Sequence, residues 1–111
     1  MIYLASPYSS ATPLEREERF LCVAAYAAQL MVERKRVYSP IAHWHTIDRL
    51  ATEKIAYDHY IDCDLHFLSL CEEMYVLCLP GWEQSTGVKI EIDEANRLGI
   101  PIEYIHFGEQ L

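Results

Sequence analysis

The stretch that decides the fold is MYVLCLPGWEQSTGVKIE, residues 74–91. Its first six residues, 74–79, are almost all apolar and predict a buried strand. Pro80 and Gly81 then indicate a loop, and a helix is predicted over 84–98, because Gly99 and Pro101 are typical of residues that follow a helix. A strand, a glycine-containing loop and a hydroxyl-rich helix start leave backbone N–H groups where an anion can bind.

Strand and helix patterns alternate along the rest of the chain. Strands are predicted at 2–5, 36–40 and 102–105, helices at 14–34 and 56–70, and mostly loop with a helical turn at 41–52. This alternation predicts an α/β fold: a three-layer, flavodoxin- or Rossmann-like sandwich with a four- or five-stranded, mainly parallel sheet. Ligands of such folds bind beyond the carboxyl ends of the strands. We therefore expect the loops 6–10, 39–45 and 80–87 to form one site.

Composition narrows the class of protein. The chain has 111 residues, 51% of them apolar, which predicts a single domain over 1–111. A net charge of −8 argues against binding a nucleic-acid polymer. No apolar run approaches the roughly 20 residues of a membrane span, and the first strand begins at Met1, so we expect a cytoplasmic protein without a membrane partner. The four cysteines have no CxxC spacing and are expected to be buried, reduced thiols: Cys22, Cys63, Cys71 and Cys78.

Glu91 is the first candidate for chemistry. It lies four residues after Gly87 on the same helix face, so the glycine leaves space directly above the carboxylate. Glu91 also borders the apolar stripe of Val88, Ile92 and Ala95, where a carboxylate is unusual without a partner. Two interpretations stay open: a partly buried ion pair, or a nucleophile for the anomeric carbon of a phosphorylated sugar.

The hydroxyls and carboxylates near this glutamate have two interpretations as well. Ser85 is the predicted N-cap of the last helix, and it either caps only or holds a phosphate together with Thr86 and the N–H groups near Gly87. Asp62 and Asp64 lie early in the helix predicted over 56–70, where a rotation of about 100° per residue lets only one of them point at the site. That carboxylate is either a proton donor or sugar clamp, following the two-carboxylate logic of glycoside cleavage, or a solvated surface charge.

Aromatic and imidazole groups accompany the middle loop. His43 and His45 would share one side of an extended segment and could bind a metal with Asp48, although no third ligand has suitable spacing. A rim that stacks on a base is the preferred interpretation, with plain loop packing as the alternative. Tyr8 and Trp82 occupy loop positions that suit the same stacking role. The chain has neither a Walker A nor a GxGxxG motif, which argues against nucleoside triphosphates and dinucleotides.

Three motifs together resemble the nucleoside 2-deoxyribosyltransferase superfamily: IYLASP at 2–7, Asp64-Leu65 before the third strand, and Ser85-x-Gly87-x-x-x-Glu91. The similarity spans nearly the whole chain and is nearest in motif to the deoxynucleoside 5′-monophosphate N-glycosidases and to small uncharacterised relatives with a PGW segment. The resemblance implies that Glu91 attacks the anomeric carbon, that Asp64 assists the leaving base, and that Tyr3 lies near the nucleophile.

The resemblance also implies a bound phosphate. Where the transferases have an aspartate that suits a free 5′-hydroxyl, this chain has Ser85, like the N-glycosidases. The first loop differs from theirs, because Pro7 and Ser9 stand where they place a Ser and an Arg. Arg16 or Arg19 is therefore the candidate cation, with surface ion pairing as the alternative. The substrate-binding residues expected on these grounds are Ser6, Pro7, Tyr8, Arg19, His43, Trp82, Ser85, Thr86 and Gly87.

These expectations combine into a nucleotide N-glycosidase that cleaves the base–sugar bond of a (deoxy)nucleoside 5′-monophosphate without a metal or another cofactor. Base exchange between deoxynucleosides and a non-catalytic nucleotide-binding or sensing domain are the alternatives. We also expect a homodimer or a higher homo-oligomer through the helix at 14–34. That helix is rich in apolar and small residues: Val23, Ala24, Ala25, Tyr26, Ala27, Ala28, Leu30, Met31 and Val32.

Overall fold

The computed structural model describes residues 1–9 and 12–106, so Ser10 of the first loop lies outside the described residues. Along the chain, the elements are β1 (Ile2–Ala5), α1 (Pro13–Val32), β2 (Val37–Tyr38), α2 (Pro40–Leu50), α3 (Tyr57–Ser69), β3 (Glu73–Leu77), α4 (Thr86–Leu98) and β4 (Ile102–Ile105). A 3₁₀ turn over Trp82–Gln84 precedes α4. The strands form a four-stranded, parallel sheet in the order β2-β1-β3-β4, which confirms the predicted α/β fold.

Alternate residues of the central strands pack against different helices. Tyr3 and Ala5 of β1 share a buried cluster with Leu68 of α3 and with α4. Leu4, between them, belongs to a second cluster with Val23 of α1 and with α2. This alternation places two helices on each side of the sheet and gives the three-layer sandwich that the sequence predicted.

The prediction for 41–52 was wrong, because most of this segment is the helix α2. The Ser39 side chain accepts a hydrogen bond from the backbone N–H of Ala42, and Pro40 occupies the first helical turn. Proline at that position fits a helix start, since the missing N–H would have had no intrahelical partner. Proline therefore begins the next helix as well as ending β2, and β2 is only the two residues Val37–Tyr38.

The cysteines differ from expectation in their burial. All four are free thiols, and Cys71 is buried as predicted, but Cys22 is exposed on α1. Cys63 and Cys78 are half-buried. Among residues 1–9 and 12–106, no helix combines the length and apolar character needed to span a membrane.

Candidate functional site

A cavity of about 1100 Å³ opens at the carboxyl ends of β1 and β3, between which the strand order changes direction. Parallel α/β sheets bind ligands at this point. The predicted loops 6–10, 39–45 and 80–87 all contribute to it. Its lining residues are Ser6, Tyr8, Ser9, Arg16, Arg19, Pro40, Ile41, Trp44, Asp48, Lys54, Tyr57, Tyr60, Ile61, Asp64, Gly81, Gln84, Ser85, Thr86, Gly87 and Glu91.

Glu91 lies on the inward face of α4 and is only 5% exposed, although it lines the cavity. The hydroxyl of the fully buried Tyr3 donates a hydrogen bond to Glu91 Oε2. Burial raises the pKa of Glu91 to about 8, with the Tyr3 hydrogen bond acting against the increase and the charge on Asp64 adding to it. Burial, together with the charge on Glu91, also raises the pKa of Tyr3, which therefore stays a hydrogen-bond donor. Among residues 1–9 and 12–106, the causes of the Glu91 shift are burial, Tyr3 and Asp64, and none is a cation, so the ion-pair interpretation has no support there.

Asp64 is the second carboxyl group of the site. Of the two candidates on α3, Asp64 is 6% exposed and lines the cavity, whereas Asp62 is exposed to solvent. Burial raises the pKa of Asp64 to about 6, and the nearby indole N–H of Trp44 acts in the opposite direction. Since the charge on Asp64 also raises the pKa of Glu91, the two carboxyl groups are electrostatically linked across the floor of the cavity.

Three buried polar atoms at the cavity lack a hydrogen-bond partner among the described residues. They are Ser6 Oγ, Trp44 Nε1 and Asp64 Oδ1, and all three residues line the cavity. The Trp44 indole is close enough to Asp64 to affect its pKa but does not form a hydrogen bond of ordinary geometry with it. Buried polar groups are nearly always paired, and leaving one unpaired costs about 1–3 kcal/mol. This clustering is what a binding site for a polar ligand requires.

The start of α4 forms one wall of the cavity. The Ser85 side chain caps the helix by accepting from the Val88 N–H at 3.2 Å, which leaves its own hydroxyl hydrogen to donate toward a ligand. Among the described residues, and apart from its chain neighbours and the backbone of its own helix, a Cβ atom at Gly87 would meet only Ser85 Oγ, at 4.0 Å, so the space beside this glycine in the cavity wall is open. The cavity thus has hydroxyl and backbone donors at the positive end of a helix dipole.

Arg19 contributes mainly by joining two loops. Its Nη1 donates to the Ser9 carbonyl at 2.6 Å and its Nη2 to the Pro80 carbonyl at 3.2 Å. Nη2 also lies 2.9 Å from a Glu15 carboxylate oxygen. Gly81, with φ of 88°, allows this close approach, since a Cβ atom there would lie 3.0 Å from Nη2. Arg19 lines the cavity, but its guanidinium is largely committed to these contacts; the basic residues Arg16 and Lys54 line the cavity too.

An aromatic wall stands on the α2–α3 side, and the sequence reasoning missed most of it. Trp44 and Tyr60 lie with ring centroids 4.6 Å apart, and Tyr8 meets Trp44 edge-on at 5.0 Å. The Tyr60 hydroxyl donates to Asp48 Oδ1, so Asp48 supports the wall. The signal was present in α3, where residues 57, 60, 61 and 64 follow helical spacing and place two tyrosines on the face of the buried aspartate.

Tyr8 is held at the cavity rim by residues behind it. Its hydroxyl lies 2.7 Å from Nδ1 of the buried His45, whose Nε2 lies 3.0 Å from Glu17 Oε2. The His45 ring also stacks on Phe20, with centroids 4.0 Å apart. Nη2 of Arg49 also lies 3.0 Å from Nε2 and donates to Glu17 Oε2 at 2.8 Å, so His45, Glu17 and Arg49 together hold Tyr8 at the rim.

Three residues predicted to bind substrate lie elsewhere. Pro7 is fully buried, and Trp82 packs against Tyr104, with ring centroids 5.6 Å apart. His43 packs beside Tyr38 at 5.6 Å instead of joining His45, because two residues in a helix differ by about 200° of rotation. The extended geometry assumed for a metal site at these histidines was therefore wrong. Among the described residues, no group of three or more His, Cys, Asp or Glu side chains is arranged to bind a metal ion.

Comparison with known proteins gives one family. Residues 1–106 match the family described as a domain of unknown function (DUF1937). No curated protein matches the chain. Because the match covers nearly the whole sequence, the chain belongs to the DUF1937 family.

Proposed function

We propose that the protein is a nucleotide N-glycosidase related to the nucleoside 2-deoxyribosyltransferase superfamily. It would cleave the base–sugar bond of a (deoxy)nucleoside 5′-monophosphate. The observation that carries the proposal is the buried carboxyl pair, Glu91 and Asp64, on the floor of a cavity with donors on one wall and aromatic rings on another. A nucleotide has the same three parts: an anion, a sugar with a reactive carbon, and a planar base.

In the proposed reaction, the Glu91 carboxylate attacks C1′ and forms a glycosyl ester. The bond from C1′ to the base nitrogen breaks, its electron pair goes to that nitrogen, and Asp64 supplies the proton. Water then attacks C1′ and gives its proton to Asp64, while the ester bond electrons return to Glu91. The Tyr3 hydroxyl, bonded to Glu91 Oε2, orients the carboxylate throughout.

The walls of the cavity suit the phosphate and the base of such a substrate. Ser85, Thr86 and the N–H groups at the start of α4 suit the 5′-phosphate, because hydroxyl and amide donors bind anions without repulsion. Trp44 and Tyr60 offer ring faces for the base. The carboxyl pair lies on the floor of the same cavity, where the sugar would sit.

One observation favours a second candidate, a nucleotide-binding or sensing domain without turnover. The reaction needs Glu91 ionised and Asp64 protonated, but the pKa of Glu91 is about 8 and that of Asp64 about 6. Where the pair holds one proton, Glu91 therefore holds it in preference to Asp64, which is the opposite of the arrangement that the reaction requires. Catalysis would then depend on the cationic character that develops at C1′, which favours the ionised glutamate.

The test is a panel of nucleoside 5′-monophosphates and the matching nucleosides, with free base measured by chromatography and binding by calorimetry. Release of base by the wild type and by Asp93→Asn, an exposed carboxylate on the same helix, but not by Glu91→Gln supports the glycosidase. Binding without release supports the sensing domain. Release only when a second base is added, with exchange products, supports transfer. If the protein neither binds these compounds nor releases base from them, the proposal is rejected.

A further inference from the structure

Helix α1 carries two separate apolar faces, only one of which packs in the chain. Val23 and Leu30 are buried, and Val23 shares a cluster with Leu4 and Leu77 of the sheet, against which Phe20 also packs. The opposite face holds residues spaced alternately by four and three, all of them exposed: Leu14, Glu18, Leu21, Ala25, Ala28 and Val32. Leu14, Leu21 and Val32 are 70%, 56% and 82% exposed. This spacing is that of a helix that pairs with another helix, and we name these six residues the outer seam.

We propose that the outer seam pairs with the outer seam of a second copy of this chain, antiparallel, about a two-fold axis near Val23. This inference is independent of the proposed catalytic role. In an isologous contact, each residue meets the residue at the same distance on the other side of the axis. Leu14 and Val32 both lie nine positions from Val23, and Leu21 and Ala25 both lie two positions from it.

This register matches large side chains with small ones. Leu21 would lie over Ala25 of the second copy, and Glu18 over Ala28, so the alanines let the two backbones approach. The aliphatic stem of Glu18 could cover the small residue while its carboxylate stays at the edge of the seam. Leu14 and Val32 would close the two ends. The stripe is thus self-complementary when read in opposite directions.

Charge selects the antiparallel orientation. The exposed acid Glu18 lies near the start of α1, and the exposed bases Arg34 and Arg36 follow its end, whereas Glu15 and Lys35 form ion pairs with Arg19 and Glu33 of their own chain. In antiparallel pairing, the acidic start of one helix lies beside the basic end of its partner, whereas parallel pairing places like charges together. Of the predicted interface residues, Ala25, Ala28 and Val32 belong to the outer seam, but Val23 and Leu30 do not, because they pack in their own chain.

The exposed Cys22 provides a specific test of the register. Cys22 lies beside the outer seam, one position from the proposed two-fold axis. In an antiparallel pair, a residue that flanks the contact near this axis lies next to the same residue of the second copy, so the two Cys22 side chains are expected to be neighbours. A short bis-maleimide should therefore join two chains through Cys22. Cys22→Ser should lose the cross-linked product, since Cys63, Cys71 and Cys78 lie away from the seam.

The companion measurement is the mass in solution by analytical ultracentrifugation at micromolar concentration. We expect about twice 12.9 kDa for the wild type. Leu21→Glu should weaken association by at least about 100-fold, because two carboxylates would be buried at the seam. Leu70→Glu, at an equally exposed leucine after α3, should leave the dimer intact. A wild-type monomer, a dimer that survives Leu21→Glu, or a dimer without the Cys22 cross-link would each overturn the proposal; circular dichroism checks that the variants fold.

Discussion

Replacing Glu91 by Gln should make the protein more stable, by an amount that increases with pH. Glu91 has its pKa raised by burial from an ordinary 4.5 to about 8. Between these two values the folded chain keeps a proton that the unfolded chain has released. Unfolding therefore releases a proton, and the free energy of unfolding of the wild type falls as pH rises. Gln carries no charge at any pH and can still accept the hydrogen bond from Tyr3.

The size of the effect follows from the pKa values. Between about pH 5 and pH 8, the free energy of unfolding of the wild type falls by about 1.4 kcal/mol for each pH unit. Above pH 8 it stops falling, because the Glu91 carboxyl of the folded chain ionises too. The stability difference between Glu91→Gln and the wild type should therefore rise by about 4 kcal/mol between pH 5 and pH 9. That is large beside a typical stability of about 5–15 kcal/mol. The buried amide of Gln adds an offset, but the offset does not vary with pH.

The assay is urea unfolding at pH 5, 6, 7, 8 and 9, followed by tryptophan fluorescence and circular dichroism. Subtracting the two curves removes the titration of groups that both proteins share. Asp93→Asn, on the exposed face of the same helix, is the control and should give a difference that is flat with pH. If the Glu91→Gln difference also stays within about 0.5 kcal/mol across this range, Glu91 is not a buried, protonated acid, and the reasoning fails.

Three further substitutions test the site. Gly87→Ala should raise the free energy of unfolding by about 0.5–1 kcal/mol, because Gly87 lies in a helix. The same variant should lose ligand binding, because the added methyl group enters the cavity above Glu91; unchanged binding by calorimetry would contradict this. Ser85→Asp keeps the helix cap but should lower the affinity for nucleoside 5′-monophosphates by at least about tenfold more than the affinity for the matching nucleosides. An equal loss of affinity for both would mean that no phosphate binds at Ser85. Asp64→Asn should reduce kcat/KM for base release by about 10²–10⁴-fold, and the remaining activity should increase as pH rises through the Glu91 pKa and stay high at alkaline pH. If kcat/KM of this variant still decreases at alkaline pH, Asp64 is not the acid.

The sheet and the carboxyl pair could be predicted because their signals are local. Residues 74–79 form a short apolar run that ends at Pro80 and Gly81, which is typical of a buried strand, and Glu91 lies on the inward side of an amphipathic helix. Asp64 followed from the resemblance, and the helical spacing already required that only one aspartate face inward.

The aromatic wall and the role of Arg19 could not be predicted in the same way. Trp44 reaches the cavity only because Ser39 and Pro40 begin a helix, a start signal that was interpreted as the end of a strand. Arg19 meets Ser9 and Pro80, which are 10 and 61 residues away in sequence. Such contacts depend on where the loops lie after the sheet has formed, and neither periodicity nor composition carries that information.

The cost of burying Glu91 argues for a function at this position. At pH 7, the proton that it keeps corresponds to about 3 kcal/mol of stability lost relative to an uncharged side chain. A glutamate with a structural role would be expected to have a cation, but the groups that shift its pKa are Tyr3 and Asp64. Asp64 and Ser6 add unpaired buried atoms at the same cavity. Destabilising groups that converge on one concave surface are typical of sites arranged for a ligand, and not of a core arranged for stability.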